Sequence, residues 1–249
     1  MQIHVGIPAR MGASRFPGKP LARIAGKSML EHVYQRSKLA KNISSIFIAT
    51  CDDEIAASAA QYGAHVVMTD PKIMRPGLRV AAAAKTLKID DEDIVVIVQG
   101  DEPLVHPEMI ESSVSEILAH KDFNLGTLIG KATKEEFMDI NEVKVVFNDE
   151  NQILYMSRSP IPYEMHTNSN SRYKQVAIMP FRAAYLQQFQ VIEPQKNELI
   201  ESIELIRALE NGDKILAILT NRSNVSVDTP DGLVEAEMAM LKDELFGSY

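Results

Sequence analysis

The sequence predicts an α/β protein: a doubly wound, mostly parallel sheet with a smaller mixed β lobe. Three observations carry this. Up to residue 98, short apolar runs alternate with helical patterns. The run at 94–98, IVVIV, is apolar without alternation, as a central parallel strand covered on both faces requires. The second half is less regular, with β-rich runs separated by turn signals.

In order, the chain opens on a short apolar strand that breaks into the loop PARMGASRFPGKPLARIAGK and then into a helix-like pattern. Residues 28–40 read as a helix, 43–50 as a strand and 54–62 as a helix that Asp52 or Asp53 could cap and Gly63 ends. A third strand covers 64–68. A loop at 70–76 then leads into an alanine-rich helix at 80–87, and an acidic turn at 90–93 precedes the central strand. In the second half, 124–130 and 143–147 read as strands, and 153–157 pairs with the latter as a hairpin. Residues 165–172 form a polar loop, 175–181 a strand, 198–210 a helix closed by Asn211 and Gly212, 214–219 a strand and 231–244 a final helix. There is no repeat, no low-complexity segment and no clean linker, so 1–249 reads as a single domain.

Composition excludes several classes. Lys+Arg number 26 against 34 Asp+Glu, and a net charge of −8 argues against a generic nucleic-acid binder. The start lacks the apolar core of a signal peptide and no run approaches a membrane span, so a cytoplasmic protein with no membrane partner is expected. The single cysteine, Cys51, excludes an internal disulfide framework and a cysteine-based zinc cage, and reads as a small buried residue.

Against that acidic background Arg10, Arg15 and Lys19 fall within ten residues, beside Gly12 and Gly18. A glycine-containing loop after a strand offers backbone N–H groups and cations to phosphate oxygens, although neither GxxxxGK[ST] nor GxGxxG is present. Asp101 follows the central strand, and Asp228 precedes Thr229-Pro230. Taken singly, they read as a turn residue and a helix cap. Together with the cationic loop they suit Mg²⁺, which takes one or two carboxylates plus phosphate oxygens, and so suggest nucleotidyl transfer.

The runs IPARMGASRFPGKPLARIAGKSMLEHVYQR, VQGDEPLVHPEMI, NEVKVVFND, LYMSRSPIP, ESIELIRALENG and VDTPDGL resemble, in order and spacing, the CMP-KDO synthetases (3-deoxy-manno-octulosonate cytidylyltransferases). The resemblance covers nearly the whole chain. It implies a Rossmann-like sugar-nucleotidyltransferase fold, usually dimeric, in which CTP and Mg²⁺ convert an acidic sugar to its CMP ester. It implies that Arg10, Arg15 and Lys19 hold the triphosphate, Gln99 lies near the cytosine and ribose, Pro8 and Ala9 wall the base, and Asp101 and Asp228 bind Mg²⁺. Acceptor and dimer contacts would lie within about 124–212.

The acceptor segments depart from the family pattern. Where the family reads S-G-T-[DE]-R, this chain has Arg75, Pro76, Gly77, Leu78 and Arg79. Where it reads H-x-G-[IV]-Y, the chain runs from Gln175 to Met179, and where it reads E-Q-L-R, it has Glu204, Leu205, Ile206 and Arg207. A site that binds hydroxyls through polar partners discriminates strongly, so these replacements bear on the acceptor. Three readings stay open: KDO or a near relative held by Arg79, Arg158, Glu204 and Arg207; a more anionic acceptor, a phosphate or phosphonate, met by Arg75; or a non-catalytic nucleotide-binding relative.

Overall fold

The structure, a computed structural model, describes residues 1–12, 16–165, 172–222 and 225–249. Strand β1 (Ile3–Pro8) ends at the cationic loop, which closes through Gly18 N–H on Met11 O and a 3-10 turn at Lys19–Leu21. No helix follows directly. A two-strand hairpin, β2 (Arg23–Ile24) and β3 (Lys27–Ser28), intervenes, because Ala25 and Gly26 both take positive φ (45° and 90°), the geometry of a tight hairpin turn. Helix α1 (Met29–Lys38) starts only at Ser28, whose side chain accepts from Glu31 N–H. Helix α1 thus begins where the sequence places it, and the hairpin stands between its N-terminus and the cations of the loop.

The doubly wound half then runs β4 (Ser45–Thr50), α2 (Asp53–Gln61), β5 (His65–Met68), α3 (Pro76–Thr86) and β6 (Ile94–Val98). Its strands lie in the order β5, β4, β1, β6, all parallel. Both faces of β6 are covered and all five of its residues are buried, which is why its sequence does not alternate.

The remaining elements are α4 (Pro107–Ala119), β7 (Leu125–Lys131), α5 (Lys134–Met138), β8 (Lys144–Phe147), β9 (Ile153–Ser157), β10 (Tyr173–Val176), β11 (Ile178–Arg182), α6 (Ala183–Val191), α7 (Lys196–Glu201), α8 (Ile206–Glu210), β12 (Ile215–Leu219) and α9 (Pro230–Met240). The mixed lobe is not a separate sheet. Strand β11 pairs antiparallel with β6, and the same sheet continues through β7, β10, β8 and β9, with β12 parallel to β7. Among the described residues no helix is long and apolar enough to cross a membrane.

Several expectations need correction. The strand at 175–181 is two strands, broken at Ala177, which lets β10 pair with β7 and β8 while β11 turns to β6. The helix at 198–210 is likewise two, α7 and α8, because Ser202 adopts a left-handed conformation (φ 53°) between them. Helices α4, α5 and α6 lie outside the elements read from the sequence, although Ile110, Val114 and Ile117 of α4 recur at helical spacing. Cys51 is half-buried rather than buried, and Asp52, though in the cap position of α2, makes no cap bond. Its carboxylate accepts from Met11 N–H at 2.8 Å and so tethers the cationic loop. The polar loop at 166–171 lies outside the described residues.

Gly100 joins β6 to Asp101 where the ends of β1 and β6 approach most closely. A Cβ there would sit 2.8 Å from the backbone oxygen of Pro8. Gly100→Ala is expected to destabilise the protein by about 1–3 kcal/mol, as overpacking does. Urea denaturation reads this out, and an unchanged midpoint would show that the two strand ends part without strain.

Candidate active site

The carboxyl ends of parallel strands are where open α/β sheets place their ligands. Pro8, Ala9 and Arg10 leave β1 here, and Gln99, Gly100 and Asp101 leave β6. A third segment arrives from far along the chain: Val227 N–H donates to Asp101 O at 3.0 Å. That bond sets Asp228 beside Asp101. Helix α9 follows at once, capped by the Thr229 hydroxyl on Gly232 N–H, so Asp228 is not the cap its position suggests.

Lys19 sits between the two carboxylates. Its Nζ lies 2.7 Å from Asp101 Oδ2 and 3.3 Å from Asp228 Oδ1. Burial alone would lower the lysine pKa, but the contacts with Asp101 and then Asp228 outweigh it and hold the ammonium above its ordinary value. Two carboxylates that meet on one ammonium converge on one point, and hard oxygen donors beside a cationic loop are the donor set that Mg²⁺ takes. Among the described residues no cluster of three or more His, Cys, Asp or Glu could hold a metal by itself. Any such ion would therefore need oxygens from a ligand or water as well.

These residues line a cavity of about 290 Å³ together with Phe16, Met74, Pro76 and Arg79. Arg10 donates to Gly12 O and Met74 Sδ and forms no ion pair among the described residues, which leaves its charge for a ligand. Arg15 lies outside the described residues. Arg79 borders the cavity, yet its guanidinium is buried and bonds Thr69 Oγ1 and Ile73 O, so it shapes the segment before α3.

A second cavity, about 220 Å³, shares Pro76, Gln99, Asp101 and Asp228 with the first. Its walls bring together Arg75, Arg158, Gln175, Met179, Glu204 and Leu205, six of the eight acceptor positions expected from sequence. Gln175 Nε2 donates to the buried Thr127 Oγ1. Arg158 donates to the carbonyls of Glu201, Ile140 and Asn141 and has no ion pair among the described residues. Glu204 points its carboxylate at the start of α3 and accepts from Gly77 and Leu78 N–H at 2.9 and 3.1 Å. Burial pushes its carboxyl pKa up against the pull of those amides and of Arg207 and Arg75. Gly77 leaves room for that contact, since a Cβ would lie 2.9 Å from Glu204 Oε1 and displace the carboxylate.

Arg207 does not reach either cavity. It is buried and makes a two-pronged pair with Glu198 at 2.7 and 2.8 Å. Sequence reasoning had no signal for Glu198, which is fully buried and separated from Arg207 by the break at Ser202. A third, larger cavity of about 420 Å³ adjoins Asp228, walled by Glu136, Asp139, Glu142, Asp231 and Glu235 with Lys174. Lys174 is already bound to Glu136 and Glu142, so this cavity repels a polyanion despite its size.

A parallel-stranded α/β sheet whose strand ends gather a cationic loop and paired carboxylates defines a nucleotidyltransferase. The chain belongs to the cytidylyltransferase family, whose model, described as "Cytidylyltransferase", matches residues 5–215. It is 38% identical over 245 residues to an 8-amino-3,8-dideoxy-manno-octulosonate cytidylyltransferase of Shewanella baltica (strain OS155 / ATCC BAA-1091), covering 98% of this chain and all of that one. A solved CMP:2-keto-3-deoxy-manno-octonic acid synthetase complexed with CTP superposes with a TM-score of 0.90 at 30% identity, over 97% of this chain and 99% of that one. A cytidylyltransferase of Leptospira borgpetersenii superposes at 0.66 with 19% identity, over 98% and 88% of the two chains, a likeness of fold alone.

Glu204→Ala would strip two amides at the start of α3 of their acceptor. A loss of about 1 kcal/mol in stability, typical of a lost helix cap, is expected in thermal or urea unfolding. No change would mean that water caps α3 equally well.

Proposed function

We propose that the protein transfers CMP from CTP to 3-deoxy-manno-octulosonate or a closely related acidic sugar and releases pyrophosphate. The observation that carries this is the convergence of Lys19, Asp101 and Asp228 in a cavity that Arg10 and Gln99 also line. The activities of the similar proteins support the same donor and acceptor class, with an 8-amino sugar as one candidate acceptor.

In this reading CTP occupies the first cavity. Pro8 and Ala9 flank the base, Gln99 lies near the cytosine and ribose, and Arg10, Arg15 and Lys19 neutralise the triphosphate. Asp101 and Asp228 hold Mg²⁺, which supplies charge stabilisation on the phosphates. The acceptor fills the second cavity, so its hydroxyl meets the α-phosphorus at the shared boundary formed by Gln99, Asp101 and Asp228. The new oxygen–phosphorus bond forms as the bond to the β-phosphate oxygen breaks. The hydroxyl proton is released and pyrophosphate leaves. What the chain contributes is alignment of the two reactants and fixed charge around the transferred phosphoryl group.

Exposed Met138, Ile140 and Leu154 on the mixed lobe, with β9 at the open edge of the sheet, support a homodimer formed through that lobe. Light scattering at micromolar concentration should report twice the chain mass; a monomer would sink the dimer.

The transfer itself is tested by pyrophosphate release from CTP with 3-deoxy-manno-octulosonate and its 8-amino derivative. Turnover is expected to disappear with EDTA and return with Mg²⁺. Asp101→Asn and Asp228→Asn should each lower kcat by about two to three orders of magnitude, the range seen when one stabilising group is lost, with the circular dichroism spectrum retained. Either variant turning over at the parent rate removes that residue from the metal site, and no CTP binding by calorimetry rejects the proposal.

A further inference from the structure

Arg75 stands where the resembling family carries no cation, and the structure places it on the wall of the acceptor cavity. Its guanidinium is held on one side only. Nε lies 3.2 Å from Glu198 Oε1 and Nη1 donates to Ser202 Oγ at 3.0 Å, while Nη2 has no hydrogen bond among the described residues. A quarter of the side chain remains exposed.

The partner carboxylate is not Arg75's alone. Glu198 has no exposed surface and already receives both prongs of Arg207, so one buried carboxylate is shared by two guanidinium groups. That leaves positive charge uncompensated at the end that opens to the cavity. Glu204, another carboxylate on this wall, is directed at the Gly77 and Leu78 amides. The guanidinium of Arg158, on the wall of the same cavity, donates only to carbonyl oxygens among the described residues, while its backbone N–H donates to Glu201 Oε2. Two guanidinium groups thus line a cavity whose other walls include the apolar Met179 and Leu205 and the acidic Asp101, Glu102, Glu204 and Asp228, so an anionic group of an acceptor is met at the Arg75 and Arg158 side.

We infer that Arg75 is a specificity-determining residue that receives an anionic group of the acceptor, and that the Glu198–Arg207 pair positions it. Arg207, which lines neither cavity, acts on the acceptor side through Glu198. A guanidinium fork fixed at one edge presents its remaining donors in a geometry that suits a carboxylate or a phosphonate. Loss of Arg207 would leave Glu198 to draw Arg75 inward and away from the cavity.

This inference rests on the cytidylyl-transfer reading, and its test separates the two. Steady-state kinetics would be measured for the wild type, Arg75→Leu, Arg207→Lys, Arg207→Met and the Arg75→Leu/Arg207→Met double variant. The acceptors are 3-deoxy-manno-octulosonate, its 8-amino derivative and a phosphonate-bearing hydroxy acid. Arg75→Leu is expected to raise acceptor KM about tenfold or more, the scale of one lost charge-assisted contact, with the KM for CTP unchanged. Arg207→Lys should give a smaller rise, and the double variant should be no worse than Arg75→Leu alone. A loss larger for the phosphonate identifies a doubly charged group as the one received, and equal losses identify a carboxylate. Arg75→Leu is the decisive variant because its side chain is partly exposed and its folding is checked by melting temperature, whereas Arg207→Met risks the core. Unchanged acceptor KM in Arg75→Leu, with turnover intact, overturns the role of Arg75. Additive effects in the double variant overturn the positioning role of Arg207. No CMP ester from any acceptor with the wild type overturns the parent reading instead.

Discussion

The site depends on two carboxylates being held together. At about 4 Å, two like charges repel by about 4 kcal/mol at an effective dielectric of 20, so Asp101 and Asp228 need both a backbone tie and a counter-charge. The tie is Val227 N–H on Asp101 O and the counter-charge is Lys19. Each comes from a different part of the chain: the loop after β1, the end of β6 and the segment before α9. Gly100 makes the approach of β1 and β6 possible by presenting no Cβ to Pro8 O. Asp52, bonded to Met11 N–H, keeps the cationic loop in place from the side of α2.

The wall of the second cavity is built on the same principle with different parts. Glu204 ties the α7–α8 turn to the start of α3 by accepting two amide protons, and Glu198 ties α7 to α8 through Arg207 and to the residue before α3 through Arg75. Buried ion pairs of this kind add little net stability once desolvation is counted, but loss of one partner is severe because a charge is stranded. Their contribution is geometric. They fix the turn at Ser202 against Pro76, and Pro76 lines both cavities.

Much of the fold was legible. The alternation of strands and helices through 94–98, the hairpin at 143–157 and the strand at 214–219 follow from side-chain periodicity, which is a local property. The failures are cases where local periodicity and tertiary contacts diverge. Residues 198–210 are helical on both sides of Ser202, yet Ser202 breaks the backbone between α7 and α8 with a left-handed conformation that side-chain spacing does not record. Residues 175–181 read as one β run because both halves are buried, although Ala177 is where the chain changes partner strands.

The candidate site divides along the same line. Sequence by itself determined which groups gather at the first cavity: Arg10 and Lys19 in one glycine-containing loop and Asp101 after an apolar strand are carried by short segments, and parallel strands bring their carboxyl ends to one edge. Only the tertiary structure decided the rest. It set Asp228 beside Asp101 across more than a hundred residues, turned Arg207 away from both cavities into the core, and revealed Glu198 as the carboxylate that Arg75 and Arg207 share. Charge pairing between distant segments depends on how the chain is packed, and a one-dimensional pattern records only which charges exist.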